Sequence, residues 1–133
     1  MPNPFFSIIV PSYNQGQFLE RCLKSIINQK IKDIEIIVID GGSSDNSVDV
    51  IKKYESYLKY WVSEPDSGQS DAINKGLSQC NGQIINWLPC DDYLEHGSLN
   101  RIQKIFNNKN IDIYCGSARI LENGNVITYK ITA

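Results

Sequence analysis

Phe5-Phe6-Ser7-Ile8-Ile9-Val10 is an almost unbroken apolar run stopped by Pro11, the pattern of a strand covered on both faces in a parallel sheet. The period then changes. Leu19, Cys22, Leu23, Ile26 and Ile27 recur at helical spacing, so they share one stripe facing a sheet. Residues 34–39 are β-branched and apolar except for Glu35, which predicts a second strand. After Gly41-Gly42, Ser44 or Asp45 can cap a second helix whose inward positions are Val48, Ile51, Tyr54 or Glu55, and Leu58. A shorter third strand is predicted over residues 58–63.

Pro65-Asp66-Ser67-Gly68 is turn chemistry, and a helix is expected to start near Ser70 with Ile73, Leu77 and Cys80 on one face and Asn81-Gly82 as its stop. Residues 84–90 predict a buried strand that runs into the adjacent carboxylates Asp91 and Asp92. A helix with Leu99, Ile102, Ile105 and Phe106 inward follows, ended by Asn107-Asn108-Lys109-Asn110. Residues 111–121 are strand-like, and Asn123-Gly124 predicts a hairpin to residues 126–131. This alternation argues an α/β fold, a mostly parallel sheet flanked by helices with an antiparallel hairpin at the end.

At 133 residues the chain suffices for one ordinary domain, so residues 1–133 are read as a single unit. The net charge of −2 lacks the basic excess that nucleic-acid binding leaves, so that class of partner is disfavoured. Cys22, Cys80, Cys90 and Cys115 lie far apart with no C-x-x-C pair, which speaks against a zinc site or a disulfide framework and for reduced thiols. No apolar run approaches the roughly 20 residues that span a bilayer, nor does the N-terminus lead into a secretory core. A cytoplasmic location is the expectation.

Three predicted strands end in polar, turn-rich segments, and open α/β sheets bind ligands outside the carboxyl ends of their strands. Asp91 and Asp92 offer paired hard oxygens for a divalent metal that holds a phosphorylated substrate, with Asp92 the favoured ligand and Asp91 open to the same role or to a ribose hydroxyl; alone, such a pair is more readily a solvated turn, and its place at a strand end changes the odds. Asp40, at the end of an apolar strand, needs a donor: a ring N–H such as that of uracil, or the backbone of the Gly41-Gly42 turn. Tyr13 follows the first strand, where it can stack on a base or simply pack. Gly41-Gly42-Ser43-Ser44 is only a weak phosphate signal, since it matches neither nucleotide-loop pattern. Asp71, Asn74 and Lys75 lie within about one helical turn; Lys75 can neutralise a diphosphate or pair with Asp71 as an exposed i,i+4 bridge. His96 is read as a surface or capping residue.

Ser7-Ile8-Ile9-Val10-Pro11-Ser12-Tyr13-Asn14, Ile39-Asp40-Gly41-Gly42-Ser43-Ser44-Asp45 and Trp87-Leu88-Pro89-Cys90-Asp91-Asp92, in this order and spacing, resemble the amino-terminal half of glycosyltransferase family 2. The resemblance implies the GT-A fold and inverting transfer of a sugar from a nucleotide-diphosphate donor, with manganese or magnesium. By position, Pro11 and Tyr13 would flank the base, Asp40 would contact it, and Asp91 and Asp92 match the acidic metal motif. Residues 67–76 look like the helix over the donor site. Many members have Arg where this chain has Ile73, which makes Lys75 the substitute cation, and an acidic residue or Asn where it has Pro89.

Family members run further, with catalytic base and acceptor site beyond the position of Ala133, so the chain is expected to be a truncated, donor- and metal-binding half with its catalytic base unknown. The expected donor is a UDP-sugar and the expected acceptor a glycan or lipid-linked glycan, as in polysaccharide synthesis, at the inner face of the membrane. An exposed sheet edge would favour a homo-oligomer. Two competing readings are a non-catalytic nucleotide-binding or assembly module, and a nucleotidyltransferase; the latter would carry a basic loop after the first strand, where this chain has no Lys or Arg before Arg21.

Overall fold

The computed structural model describes residues 3–108, 110–122 and 125–129. In chain order the elements are β1 (Phe6–Ser12), α1 (Gly16–Ile27), β2 (Ile34–Asp40), α2 (Ser47–Lys53), a 3-10 turn (Glu55–Tyr57), β3 (Tyr60–Ser63), α3 (Gln69–Leu77), β4 (Ile84–Trp87), α4 (Ser98–Asn108), β5 (Ala118–Glu122) and β6 (Asn125–Tyr129). They fall into two compact units, Met1–Asn100 and Arg101–Ala133. The first holds a four-stranded, all-parallel sheet in the order β3-β2-β1-β4. The second holds the antiparallel pair β5-β6.

The apolar runs become the centre of the first unit. All seven residues of β1 are buried, as are the last six of β2. The helical stripe lands as the spacing requires: Leu19, Cys22, Leu23 and Ile26 of α1 are fully or almost fully buried. On the sheet, Ile9, Ile37 and Ile39 pack with Ala72 of α3, and Val62 and Cys80 close the cluster. Gly76 lets α3 approach closely, because a Cβ there would stand 2.5 Å from Ile9 Cγ2.

Glu35, the one break in the second apolar run, is buried at the amino end of the sheet. It accepts hydrogen bonds from the Ser7 hydroxyl and the Asn81 backbone N–H, while Gly82 N–H donates to Ser7 Oγ at 2.7 Å. These contacts tie β1, β2 and the turn before β4 together at the amino end of the sheet.

Asp45, one of the two expected caps of the second helix, accepts the N–H of Ser47, the first residue of α2, at 2.9 Å and the Ser47 hydroxyl as well. Three expectations are corrected. The third strand is shorter than 58–63, because the 3-10 turn takes the preceding residues and ladder bonding starts at Lys59 N–H to Ile36 O, 2.9 Å. Strand β4 is not buried: it lies at the sheet edge, with Ile85 45% and Trp87 50% exposed. Residues 111–117 are not strand, the regular pairing starting only after the Gly116-Ser117 break. The predicted hairpin turn, Asn123-Gly124, lies outside the described residues.

Past Trp87 the chain continues alongside β1. Leu88 N–H bonds Ile9 O at 2.8 Å and Cys90 N–H bonds Pro11 O at 3.3 Å. Alternate residues of a strand donate to the same neighbour, so the missing N–H of Pro89 falls on the other side and costs the ladder nothing. This short extension carries Asp91 and Asp92 to the same end of the sheet as the tips of β1 and β2.

Candidate active site

The carboxyl ends of β1, β2 and β4 open onto one cleft of about 470 Å³. Pro11, Ser12, Tyr13 and Gln15 line it from the first loop and Gly41 from the second. Asp66, Gly68, Gln69 and Ala72 come from the start of α3, and Pro89, Cys90 and Asp91 from the extension of β4.

The first two loops are stitched together. Gly41 N–H donates to Ser12 O at 2.9 Å, Asn14 N–H to Ser43 Oγ at 2.8 Å, and Ser44 N–H to Asn14 Oδ1 at 2.8 Å. Asn14 takes a left-handed conformation (φ 49°), which asparagine tolerates better than most residues. Asp45 adds a third stitch by accepting the Gly16 N–H at 2.8 Å, and the Ser47 hydroxyl that also bonds it holds its carboxyl below the usual range. Gly41 has no side chain where the Asp66 carboxylate approaches, a Cβ there standing 3.0 Å from either oxygen.

Of the residues singled out from sequence, the cleft gathers Pro11, Tyr13 and Asp91. Tyr13 is 62% exposed, so its ring faces solvent at the rim. Asp40 is fully buried behind the cleft wall. Its carboxylate accepts from Gly42 N–H (3.2 Å), Ser43 N–H (2.8 Å), Ser43 Oγ (2.6 Å) and Ser63 Oγ (2.7 Å), so here it holds the second loop in shape.

Asp71 accepts the Ser67 N–H at 2.9 Å, and Lys75 lies 3.8 Å from Asp71 and 3.3 Å from Glu64. Neither residue, nor exposed Asn74, is on the cleft wall. Asp92 also stands off the wall, its N–H closing a turn to Pro89 O at 2.9 Å. Burial, then the like charge of Asp91, push the Asp92 carboxyl up, opposed by Arg21.

Sequence reasoning missed Gln15, Asp66, Gln69 and Cys90 on the wall and exposed Arg21 against the Asp91 carbonyl. Cys90 is 2% exposed, and its thiol donates to Gln15 Oε1 at 3.0 Å. Burial pushes this thiol up, and that of Cys22 further. Arg21 lies 4.5 Å from the centroid of the Tyr93 ring, and its Nη2 makes a 3.4 Å contact with Asp91 O. The position of Gln15 right after Tyr13-Asn14, and of Cys90 right before the aspartates, was the only available signal for those two.

The model of glycosyl transferase family 2 matches residues 7–132, nearly the whole chain. The chain belongs to this family. Among its relatives, the GalNAc(5)-diNAcBac-PP-undecaprenol beta-1,3-glucosyltransferase of Campylobacter jejuni is 35% identical over 127 residues, which cover 92% of this chain and 41% of that protein. The chondroitin synthase of Pasteurella multocida is 35% identical over 105 residues, 77% of this chain and 11% of the synthase. In three dimensions the family 2 chain resembles S. aureus TarS 1-349 in complex with UDP, with a TM-score of 0.75, 26% identity and coverage of 92% of this chain and 38% of that one. The chain thus spans well under half the length of these relatives. The GT-A fold expected from the sequence is the fold observed. Among the described residues no helix is long and apolar enough to cross a membrane.

Proposed function

We propose that the chain is the donor-binding part of an inverting glycosyltransferase that takes its sugar from a UDP-sugar. The observation that carries this is the meeting of three strand ends at one cleft, with Pro11, Tyr13 and Asp91 on its wall. In this reading Tyr13 stacks on a base, and Gly68, with open space where a Cβ would stand, leaves room for the ligand. Asp40 acts from behind by shaping the loop, and reaches a base only if a ring N–H replaces one of its serine donors. A relative with UDP in its site supports the choice of nucleotide. Asp71, Asn74 and Lys75 form the outer flank of the donor site in this reading, and Lys75 reaches a diphosphate only by leaving its pairs with Glu64 and Asp71.

Asp91 and Asp92 suit manganese or magnesium, hard ions commonly held by one or two carboxylates together with substrate phosphates. Among the described residues no cluster of three or more His, Cys, Asp or Glu side chains could hold an ion alone, so the cation would share its shell with the ligand. Asp91 would hold it from the cleft wall and Asp92 from the adjoining turn. When bound, such an ion stabilises the negative charge that develops on a departing nucleotide. The chain's own part is to orient donor and carboxylates at one rim.

The acceptor is proposed to be a glycan or lipid-linked glycan, in keeping with the undecaprenol-linked and polysaccharide activities named for two relatives. Calorimetric titration with UDP, with and without manganese, tests the reading. Metal-dependent binding is expected, and Asp91→Ala should weaken it at least tenfold while UDP binding without metal changes little. Absence of any UDP binding, or metal dependence that survives the substitution, would refute it. Vigorous sugar transfer by the 133-residue chain alone would contradict its assignment as a donor-binding part.

A further inference from the structure

The cleft wall carries polar groups that the donor-site reading leaves unused. Ser12 closes β1 and lines the cleft, yet its hydroxyl is buried, with the residue 5% exposed, and makes no well-formed hydrogen bond among the described residues, its polar neighbour being the soft Cys90 sulfur. An unsatisfied buried hydroxyl costs about 1–3 kcal/mol, and such groups are rare unless something outside the protein completes them. Gln15, three residues on, lines the same cleft. Its Oε1 is taken by the Cys90 thiol at 3.0 Å.

The Cys90 thiol donates to the amide oxygen, which therefore faces the sulfur. The amide nitrogen, with two N–H groups and no partner among the described residues, is left for the cleft. The arrangement is therefore polarised: donors at Ser12 and Gln15, an acceptor carboxylate at Asp91.

We propose that Ser12 and Gln15 together bind an acceptor oxygen of the nucleotide, and that Cys90 is a positioning residue which fixes the Gln15 amide with its nitrogen toward the ligand. This rests on the cleft being the nucleotide-sugar site. The oxygen belongs to a ribose hydroxyl or to a phosphate, and both offer the lone pairs that these donors lack.

Titration of the full chain with uridine and with UDP, both with manganese, distinguishes the two sources. Ser12→Ala and Gln15→Glu should each weaken UDP about three- to tenfold, the range of one lost hydrogen bond. If the same factor appears with uridine the oxygen is on the ribose; if it appears only with UDP it is on a phosphate. Cys90→Ala should reproduce the loss by freeing the amide, and Cys90→Ser, whose hydroxyl also donates, should restore most of it.

Wild-type affinity in both Ser12→Ala and Gln15→Glu overturns the proposal, and failure of Cys90→Ser to exceed Cys90→Ala overturns the positioning role. A measurement on the unaltered protein guards against variants that do not fold. UDP should slow alkylation of Cys90 by iodoacetamide several-fold while exposed Cys115 reacts as before, and equal Cys90 rates with and without UDP would refute a ligand at this wall. Intact wild-type binding with indifferent variants removes this inference alone, whereas a wild-type chain that binds neither uridine nor UDP removes the donor-site reading with it.

Discussion

Arg21 joins two parts of the site that lie 70 residues apart in the chain. It projects from α1, stacks on Tyr93 and touches the Asp91 carbonyl, so the helix after β1 steadies the turn that carries both aspartates. Its charge also lies on the Asp92 carboxyl, opposing the upward push of burial. Arg21→Ala should therefore reduce manganese-dependent UDP affinity about three- to tenfold, with Arg21→Lys intermediate because the ammonium keeps the charge but not the planar stack. Titration against UDP alone separates this from a general loss of binding, and an unchanged metal-dependent affinity would show that the turn holds itself.

A second residue-scale effect is set by pH. Glu20 accepts from Lys53 Nζ at 2.7 Å and from the Tyr54 hydroxyl at 2.6 Å, joining α1 to α2. The Lys53 contact leads in lowering its carboxyl from 4.5 to about 2. A depressed carboxyl stabilises the fold above its unfolded value and ceases to do so as pH falls through the folded one. The melting-temperature gap between wild type and Glu20→Gln should thus be largest above about pH 5 and close as the pH drops toward about 2. The gap stays small throughout, because these side chains are largely exposed. A gap that widens on acidification would contradict the assignment.

Among the elements, those whose burial shows in their own residues were legible and those defined by partners were not. The β1 and β2 runs and the α1 stripe announced a buried centre because each carries its whole apolar face in contiguous or periodic positions. Strand β4 has a similar apolar spelling but sits at an edge, and edge position depends on strand order, which local pattern does not encode. The start of β3 was misplaced for a related reason, since the 3-10 turn and the Lys59 to Ile36 bond are settled between segments.

The site divides the same way. Pro11, Tyr13 and Asp91 were readable because each abuts a predicted strand end, whereas Gln15 and Cys90 gain meaning only from a contact across 75 residues. Gly76 is a third case, invisible in a helical pattern yet required where α3 rests on Ile9. Gly76→Ala improves helix propensity by about 1 kcal/mol but forces α3 off the sheet, at a typical overpacking cost of about 1–3 kcal/mol. Net destabilisation is expected, as a lower urea midpoint with an unchanged slope. A stabilised variant would mean that Ile9 yields freely.

At the scale of the whole first unit, the sheet is fastened at one end and opens onto the cleft at the other. Ser7, Glu35, Asn81 and Gly82 are bonded within the fold at the amino end, and nothing in that network awaits a ligand. At the carboxyl end, the buried Ser12 hydroxyl makes no well-formed hydrogen bond, Asp91 and Asp92 crowd like charges, and the cleft gathers segments far apart in the chain. Amide exchange should report this division, since local opening follows the density of buried contacts. Amides of β1 and β2 are expected to exchange only on global unfolding, and Asn81 and Gly82 to be protected with or without nucleotide. UDP with manganese should then slow exchange together in residues 11–16, 41–45, 66–69 and 89–92, four stretches separated in the chain that meet at the cleft. Protection confined to one stretch, or spread evenly over β4 and the Asn81 turn as well, would mean that the nucleotide binds elsewhere or merely tightens the fold.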